Sequence, residues 1–335
     1  MKVLIVYNSS RITHDKNGNL ILDTNIISTV EAVEKALEAK GYLINKVALK
    51  KNFKKFIAVI EKFKPDIIFN LCEMINNNAM LEKNAVAVYE IVNLPFTGNT
   101  LTPLYICLNK ALTKRFFNLY KIPTPKFRIL NNYDFDDIDL KFPLIVKPGL
   151  EDGSKGISAK SVVKNLKALK KRVKFIITKY KQFALVEEFI QGKELQISLI
   201  GNKEPDVLAI AELDYKGLPK SLPKICSYAA KWQTNSIYYK YTNPILPARI
   251  NIKLYNDLSE MAKFIYKKFM CKGYARIDLR LKKGKPYFLE VNPNPDISPD
   301  AGFAKAAKYA GLPYEDLINR IVLLGLEKSE FNEFY

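Results

Sequence analysis

Asp278 and Glu290 sit in two alternating runs joined by the turn Lys282-Lys283-Gly284-Lys285. In the first run Ala275, Ile277, Leu279 and Leu281 share one face and Arg276, Asp278 and Arg280 the other, because side chains alternate along a strand. In the second, Tyr287, Leu289 and Val291 face one way and Phe288, Glu290 and Asn292 the other. A hairpin centred on Gly284 puts Asp278 opposite Glu290 and Arg276 opposite Asn292. Facing carboxylates repel, and a divalent cation between them reverses the sign. Asp, Glu and Asn supply the hard oxygens that magnesium takes, usually together with phosphate oxygens. The competing reading is a charged surface face in a shifted register. Against it stands Asn292-Pro293-Asn294-Pro295, an odd run to place after a strand for structure alone.

A second constellation begins at Lys147, at the end of the apolar run 142–148, and continues through Gly149, Gly153, Ser154 and Gly156. A lysine beside exposed backbone N–H groups suits phosphate, which glycine lets approach closely, and Ser154 can add a hydroxyl. The phosphate-loop pattern G-x-x-x-x-G-K-[ST] is absent, and a flexible turn would read much the same. On this reading Lys147 is an accessible charge whose removal weakens nucleotide binding and leaves stability nearly unchanged. A third constellation is Leu185-Val186-Glu187-Glu188-Phe189-Ile190-Gln191-Gly192-Lys193-Glu194, a strand, a short linker and the start of another strand. Its carboxylates and free backbone groups can grip an adenine amine and ribose hydroxyls, although charged strand ends are ordinary.

The elements that must position these residues are legible in the periodicity. The first third alternates strand and helix: strands at 2–7, 42–48 and 65–69, and a helix carrying Ile27, Val30, Val33 and Leu37, capped by Asp23-Thr24 and ended by Gly41. That alternation predicts a parallel sheet covered on both faces, with ligands beyond the strand ends, in the loops after Tyr7 and Phe69. A helix is expected at 108–119, then a stiff Ile122-Pro123-Thr124-Pro125 connector, a basic helix at 164–179 and a strand at 184–189. Strands near 194–201 and 206–212, an irregular stretch at 213–246, a helix near 250–271, the hairpin and two short helices complete the chain.

Bulk composition excludes several classes. The chain has 335 residues, 48% of them hydrophobic, enough for two or three lobes with real cores. No apolar run approaches the roughly 18 residues of a membrane span, and 1–7 reads as a buried first strand rather than a signal peptide. Cys72, Cys107, Cys226 and Cys271 are scattered and His14 is the only histidine, which argues for a reducing compartment and against zinc sites, disulfides and Ser-His-Asp chemistry. The formal charge of +19 comes from dispersed lysines, as on the helix face Lys164, Lys167, Lys170, Lys171 and Lys174. A nucleic-acid binder would need a basic patch on one face with exposed aromatics. No nucleic acid and no membrane partner are expected, and the expected location is the cytoplasm.

Together, in this order, these segments resemble the ATP-grasp superfamily, and within it the D-alanine–D-alanine ligase branch. The likeness is strongest over 109–324. It runs through Asn109-Lys110-Ala111-Leu112-Thr113-Lys114, the Phe142-Pro143 strand ending in Lys147-Pro148, Gly153-Ser154-Lys155-Gly156, Val186-Glu187-Glu188-Phe189-Ile190 with Glu194, and Arg276-Ile277-Asp278 paired with Glu290-Val291-Asn292. The resemblance implies an α/β chain with α+β lobes: an N-terminal parallel-sheet domain (1–108) on the substrate side, a central lobe (109–190) and a C-terminal lobe with the metal hairpin (191–335), the latter two clamping ATP.

The resemblance also implies roles. Lys110 and Lys147 hold the ATP phosphates, and Gly153, Ser154 and Gly156 close over the γ-phosphate. Glu187 meets the adenine amine, with Glu188, Phe189 and Ile190 alongside, and Glu194 meets the ribose. Asp278, Glu290 and Asn292 bind magnesium, with manganese able to replace it. Arg276 stabilises the phosphoryl transfer, Tyr228-Ala229-Ala230-Lys231-Trp232 resembles the substrate-covering loop, and Lys231 adds a phosphate contact. The implied reaction activates a carboxylate as an acyl phosphate and captures it with an amine, with small molecules as partners and a homodimer formed through the N-terminal lobe.

The amino-acid pockets depart from that pattern. The N-terminal Gly-Gly-x-Ser-x-Glu motif is replaced by Asn8-Ser9-Ser10-Arg11, a His-Gly segment by Leu71-Cys72-Glu73-Met74, and a serine by Ala301 beside Asp300. The expectation is therefore a ligase with a substrate pair other than two D-alanines. A D-alanine–D-alanine ligase and a nucleotide-binding protein without turnover are the alternatives.

Overall fold

The computed structural model describes residues 1–9, 12–14, 20–22, 25–50, 52–76 and 78–327. The expected cap at Asp23-Thr24 and the Ser10-Arg11 part of the first loop lie outside them. The strands Lys2–Asn8, Leu43–Leu49 and Ile67–Leu71 form a parallel sheet with Lys2–Asn8 in the centre. Val3, Leu4, Ile5 and Val6 are fully buried because successive side chains enter cores on opposite faces. The helix Asn25–Ala39 follows, and Gly41 in the left-handed region turns the chain out of it.

One face of this sheet is completed from the far end of the sequence. Helices Gly302–Tyr309 and Tyr314–Leu326 bring Phe303, Leu317, Ile318, Ile321 and Val322 against Val3, Ile5, Ile67 and Phe69. The chain end thus closes the core that its beginning opened.

Two antiparallel sheets follow. The central one orders Phe127–Leu130, Ala184–Glu188, Leu144–Pro148 and Val162–Val163, with helix Leu166–Tyr180 packed on it through Leu169, Val173 and Ile176. The larger one orders Asn243–Ile245, Asp206–Asp214, Lys193–Ile200, Tyr274–Lys282 and Lys285–Pro293. Helix Ile252–Lys268 covers its apolar face, and Asn251 caps that helix by accepting from the Leu254 N–H at 2.8 Å. Among the described residues no helix is long and apolar enough to cross a membrane.

The helix expected at 108–119 runs from Lys110 to Leu119, and Asn109 breaks it from a preceding helix, Leu101–Leu108, that periodicity did not indicate. Asn109 takes an extended conformation, and its side chain accepts from the Ala111 and Leu112 N–H groups at 3.1 and 3.2 Å. Asn caps readily because its short amide competes for backbone donors. The break aims the first turn of the second helix, with Lys110, at the loop after Lys147: the Lys110 N–H donates to the Gly149 carbonyl at 3.0 Å. The irregular stretch at 213–246 contains two short helices, Tyr228–Trp232 and Ile237–Lys240.

Candidate active site

The hairpin pairs Arg276 with Asn292 and Asp278 with Glu290, the expected partners. The alternation expected in its second strand does not hold. A bulge falls between Leu279 and Asp278, so that Leu279 faces Phe288, Asp278 faces Glu290, and Leu289 is an extra residue. Phe288 and Val291 therefore both enter the core, while Leu289 and Glu290 both line the cleft. The turn is a two-residue one at Lys283-Gly284, both in the left-handed region, as a tight hairpin turn requires.

That cleft lies between the two antiparallel sheets. Lys147, Ser154, Glu187, Glu188, Phe189, Ile190, Glu194, Lys231, Asp278 and Glu290 line it, so residues from all three constellations converge. Arg276 and Asn292 sit at the hairpin's end beside Asp278. Arg276 makes a two-pronged ion pair with Asp278, Nε to Oδ1 at 2.7 Å and Nη2 to Oδ2 at 2.9 Å. Lys110 is buried and donates to the Glu151 carbonyl at the start of the glycine loop.

The charges are arranged around Glu290. Burial opposes its ionisation, but Lys110, Lys147, Lys231 and Arg276 together hold its carboxyl down at about 2. Asp278, opposite, is pushed above the ordinary range by burial and by Glu290, against the pull of Arg276. Deeper in, Glu187 is buried between two ammonium groups, Lys114 at 2.6 Å and Lys147 at 2.7 Å. Burial pushes the Glu187 carboxyl up, and the two lysines override it and hold it below the usual value. Lys147 is itself buried and held to Glu187, rather than the accessible charge expected.

The glycine loop is joined to the covering loop. The Ser154 hydroxyl donates to the Cys226 carbonyl at 2.9 Å, the Trp232 indole N–H to the Gly153 carbonyl at 2.9 Å, and the Tyr228 N–H to the Ile157 carbonyl at 3.0 Å. Gly156 has φ +78°, and a Cβ there would press on Pro148 and Tyr180 at 3.0 Å. Its carbonyl accepts from Arg172, a buried residue of the otherwise lysine-rich helix.

A search of family models matches residues 120–323 to the D-ala D-ala ligase C-terminus. The chain belongs to the D-alanine–D-alanine ligase family. A D-alanine–D-alanine ligase of Carboxydothermus hydrogenoformans is 31% identical over 90% of this chain and 93% of its own. An uncharacterized protein of Sinorhizobium fredii, y4sG, is 32% identical over 80% of each. A solved D-alanine–D-alanine ligase from Bacillus anthracis, complexed with ATP, superposes with a TM-score of 0.72 over 97% of both chains at 20% identity. The fold is therefore that of ATP-grasp ligases, and membership of the D-alanine–D-alanine ligase family makes the chain an ATP-dependent enzyme forming a carbon–nitrogen bond.

Within this member of the D-alanine–D-alanine ligase family, several residues of the site escaped the sequence reading. Lys114, 1% exposed, sits between Thr113 and Arg115 like an ordinary surface lysine of a helix, yet it also donates to Thr124 at 2.7 Å. Arg280 read as one more charge on the hairpin. Asn99 reaches two segments far along the chain: its side chain donates to the Tyr274 carbonyl at 2.8 Å, and its N–H donates to Asn294 Oδ1 at 2.8 Å. That contact accounts for Asn294 within the Asn-Pro run. Asn294 holds a left-handed conformation against Gly98, where a Cβ would meet its Oδ1 at 2.4 Å. Of the departing pocket residues, Glu73 and Asp300 are both exposed, and the Glu73 N–H donates to Asn8 Oδ1 at 3.1 Å.

Proposed function

We propose that this chain is an ATP- and magnesium-dependent ligase that activates a carboxylate as an acyl phosphate and joins it to an amine, acting on a pair other than two D-alanines. The observation that carries the reading is Glu290, ionised within a ring of Lys110, Lys147, Lys231 and Arg276 and opposite Asp278. Ammonium and guanidinium donors that converge on one carboxylate are also placed to meet phosphate oxygens, which form charge-assisted hydrogen bonds with such groups.

Magnesium fits the donor set. Among the described residues no group of three or more His, Cys, Asp and Glu side chains forms a cage, but magnesium is usually held by one or two carboxylates plus phosphate oxygens. Asp278, Glu290 and the Asn292 amide oxygen would hold it, and when bound it would neutralise phosphate charge. Arg276 would exchange part of its pairing with Asp278 for the developing charge of the transferred phosphoryl group. Lys110 and Lys147 would hold phosphates, Glu187 and the 188–190 backbone the adenine, and Glu194 the ribose. The Gly153-Ser154 turn and Lys231, already joined through Cys226 and Trp232, would exclude water from an intermediate that water would destroy.

The substrate part rests on Glu73 and Ala301, and on the missing glutamate motif after Tyr7. A site without groups for a substrate's ammonium and carboxylate binds it poorly. The test is phosphate release over amino acids and small carboxylates in pairs, with product mass spectrometry. A favoured pair that includes a partner other than D-alanine supports the proposal. Efficient D-alanyl-D-alanine formation, with kcat/KM of order 10⁴ M⁻¹s⁻¹ or better, would instead align this chain with its named relatives.

A further inference from the structure

We infer that Arg280 is a specificity-determining positioning residue: it holds Glu194 in the orientation from which that carboxylate recognises ribose hydroxyls, and so lets the site separate ribonucleotides from deoxyribonucleotides. The inference rests on the proposed reading of Glu194 as the ribose carboxylate.

Arg280 lies on the cleft face of the strand Tyr274–Lys282 and is 4% exposed. Its Nη2 meets Glu194 Oε2 at 2.5 Å, and Nη1 donates to the Ile190 carbonyl at 3.2 Å. Nη2 also donates to the Lys224 carbonyl of the covering loop. The guanidinium lies 4.7 Å from the centre of the Phe189 ring. One side chain thus touches the linker, the carboxylate after it and the loop above.

The second partner of Glu194 sharpens the point. The Tyr215 hydroxyl donates to the same Oε2 at 2.7 Å. With both of these donors on Oε2, Oε1 is the oxygen that would meet a ligand hydroxyl. A glutamate has three rotatable bonds, and a guanidinium whose own fork is anchored on the Ile190 and Lys224 carbonyls gives Glu194 Oε2 a fixed point that limits them. Lysine carries its three donors on one nitrogen and cannot reproduce the separate positions that Nη1 and Nη2 occupy here. A merely structural Arg280 would, when replaced, weaken all nucleotides alike. A positioning Arg280 changes their ratio.

The experiment is calorimetry of the full chain with ADP, 2′-deoxyADP and 3′-deoxyADP in the presence of magnesium. The wild type is expected to bind ADP about tenfold or more tightly than the weaker deoxy form, the worth of a hydrogen bond to a charged group. Arg280→Met should bring that ratio within about threefold, Arg280→Lys should fall between, and Glu194→Gln should also lose it. If Arg280→Met does not fold, Arg280→Lys decides by the same ratio. Loss of the ratio in Glu194→Gln, with the wild-type ratio kept in the Arg280 variants, overturns the inference and leaves the ribose reading standing. A wild type that does not discriminate, or a Glu194→Gln variant that keeps the full ratio, overturns the ribose reading and the inference with it.

Discussion

Glu290 faces Asp278 across the hairpin because Leu289 is carried as an extra residue. The ladder leaves the turn pairing Lys282 with Lys285 and Leu279 with Phe288. Continued without a bulge it would set Leu289 against Asp278 and Glu290 against Ile277, whose side chain is in the core. Side chains that pair share a face, so one inserted residue decides whether Glu290 enters the cleft.

The first prediction concerns that carboxylate. Glu290→Gln preserves shape and removes one negative charge from the ring of four cations. Turnover with the pair found in the phosphate-release screen should fall at least about a hundredfold, the scale of losing a charge-stabilising group. Circular dichroism should be unchanged. Near-normal turnover would remove Glu290 from the proposed metal site.

The second follows from the depressed Glu290 carboxyl. Its folded value of about 2 lies below the ordinary glutamate range, so its ionised form favours the folded state. That contribution is complete above the unfolded value of about 4.3 and disappears as pH falls towards 2. The difference in urea stability between wild type and Glu290→Gln should therefore shrink between pH 5 and pH 2. A difference independent of pH would mean that the surrounding lysines do not act on Glu290.

The third concerns Lys147, buried against Glu187. Lys147→Ala should weaken nucleotide binding and also lower stability by about 2 kcal/mol, because it removes one of the two charge-assisted hydrogen bonds that hold the buried Glu187 carboxylate and leaves Lys114 as its partner. Lys114→Met should destabilise by a similar amount, about 2 kcal/mol, with Lys147 left as the partner. Urea titration reads both. An unchanged midpoint for Lys147→Ala would restore the accessible lysine that the sequence alone suggests.

The fourth concerns the joined loops. Trp232→Phe removes the indole donor to Gly153 and keeps an aromatic ring, and should loosen 149–156 and 213–246 together by about 1 kcal/mol. Hydrogen exchange should rise in both segments. A rise confined to the segment around Trp232 would show that the contact does not couple them.

Much of the fold was readable before any coordinates, for physical reasons. Val3, Ile5, Ile67 and Phe69 enter the core because apolar runs of strand length, separated by amphipathic helices, have few other ways to bury their surface. Arg276 and Asp278 share a face because strand side chains alternate. The acid pair, the lysine before the glycines and the Glu-Glu linker were legible because their chemistry is local: each motif is a few residues at short spacing.

The three-dimensional fold decided what depends on distance through space. Nothing along the chain ties Lys114 and Lys147 to Glu187: the pairing of two strands brings Lys147 to it, and the docking of the helix Lys110–Leu119 brings Lys114. The break at Asn109 and the bulge at Leu289 each alter direction by one residue, and periodicity cannot register so small a change. Arg280 reaches Glu194, and Asn99 reaches Asn294, across long stretches of chain. Hydrogen bonds of this kind form when separate elements are docked, so residue types and spacing determine the chemistry available, and packing determines which groups meet to perform it.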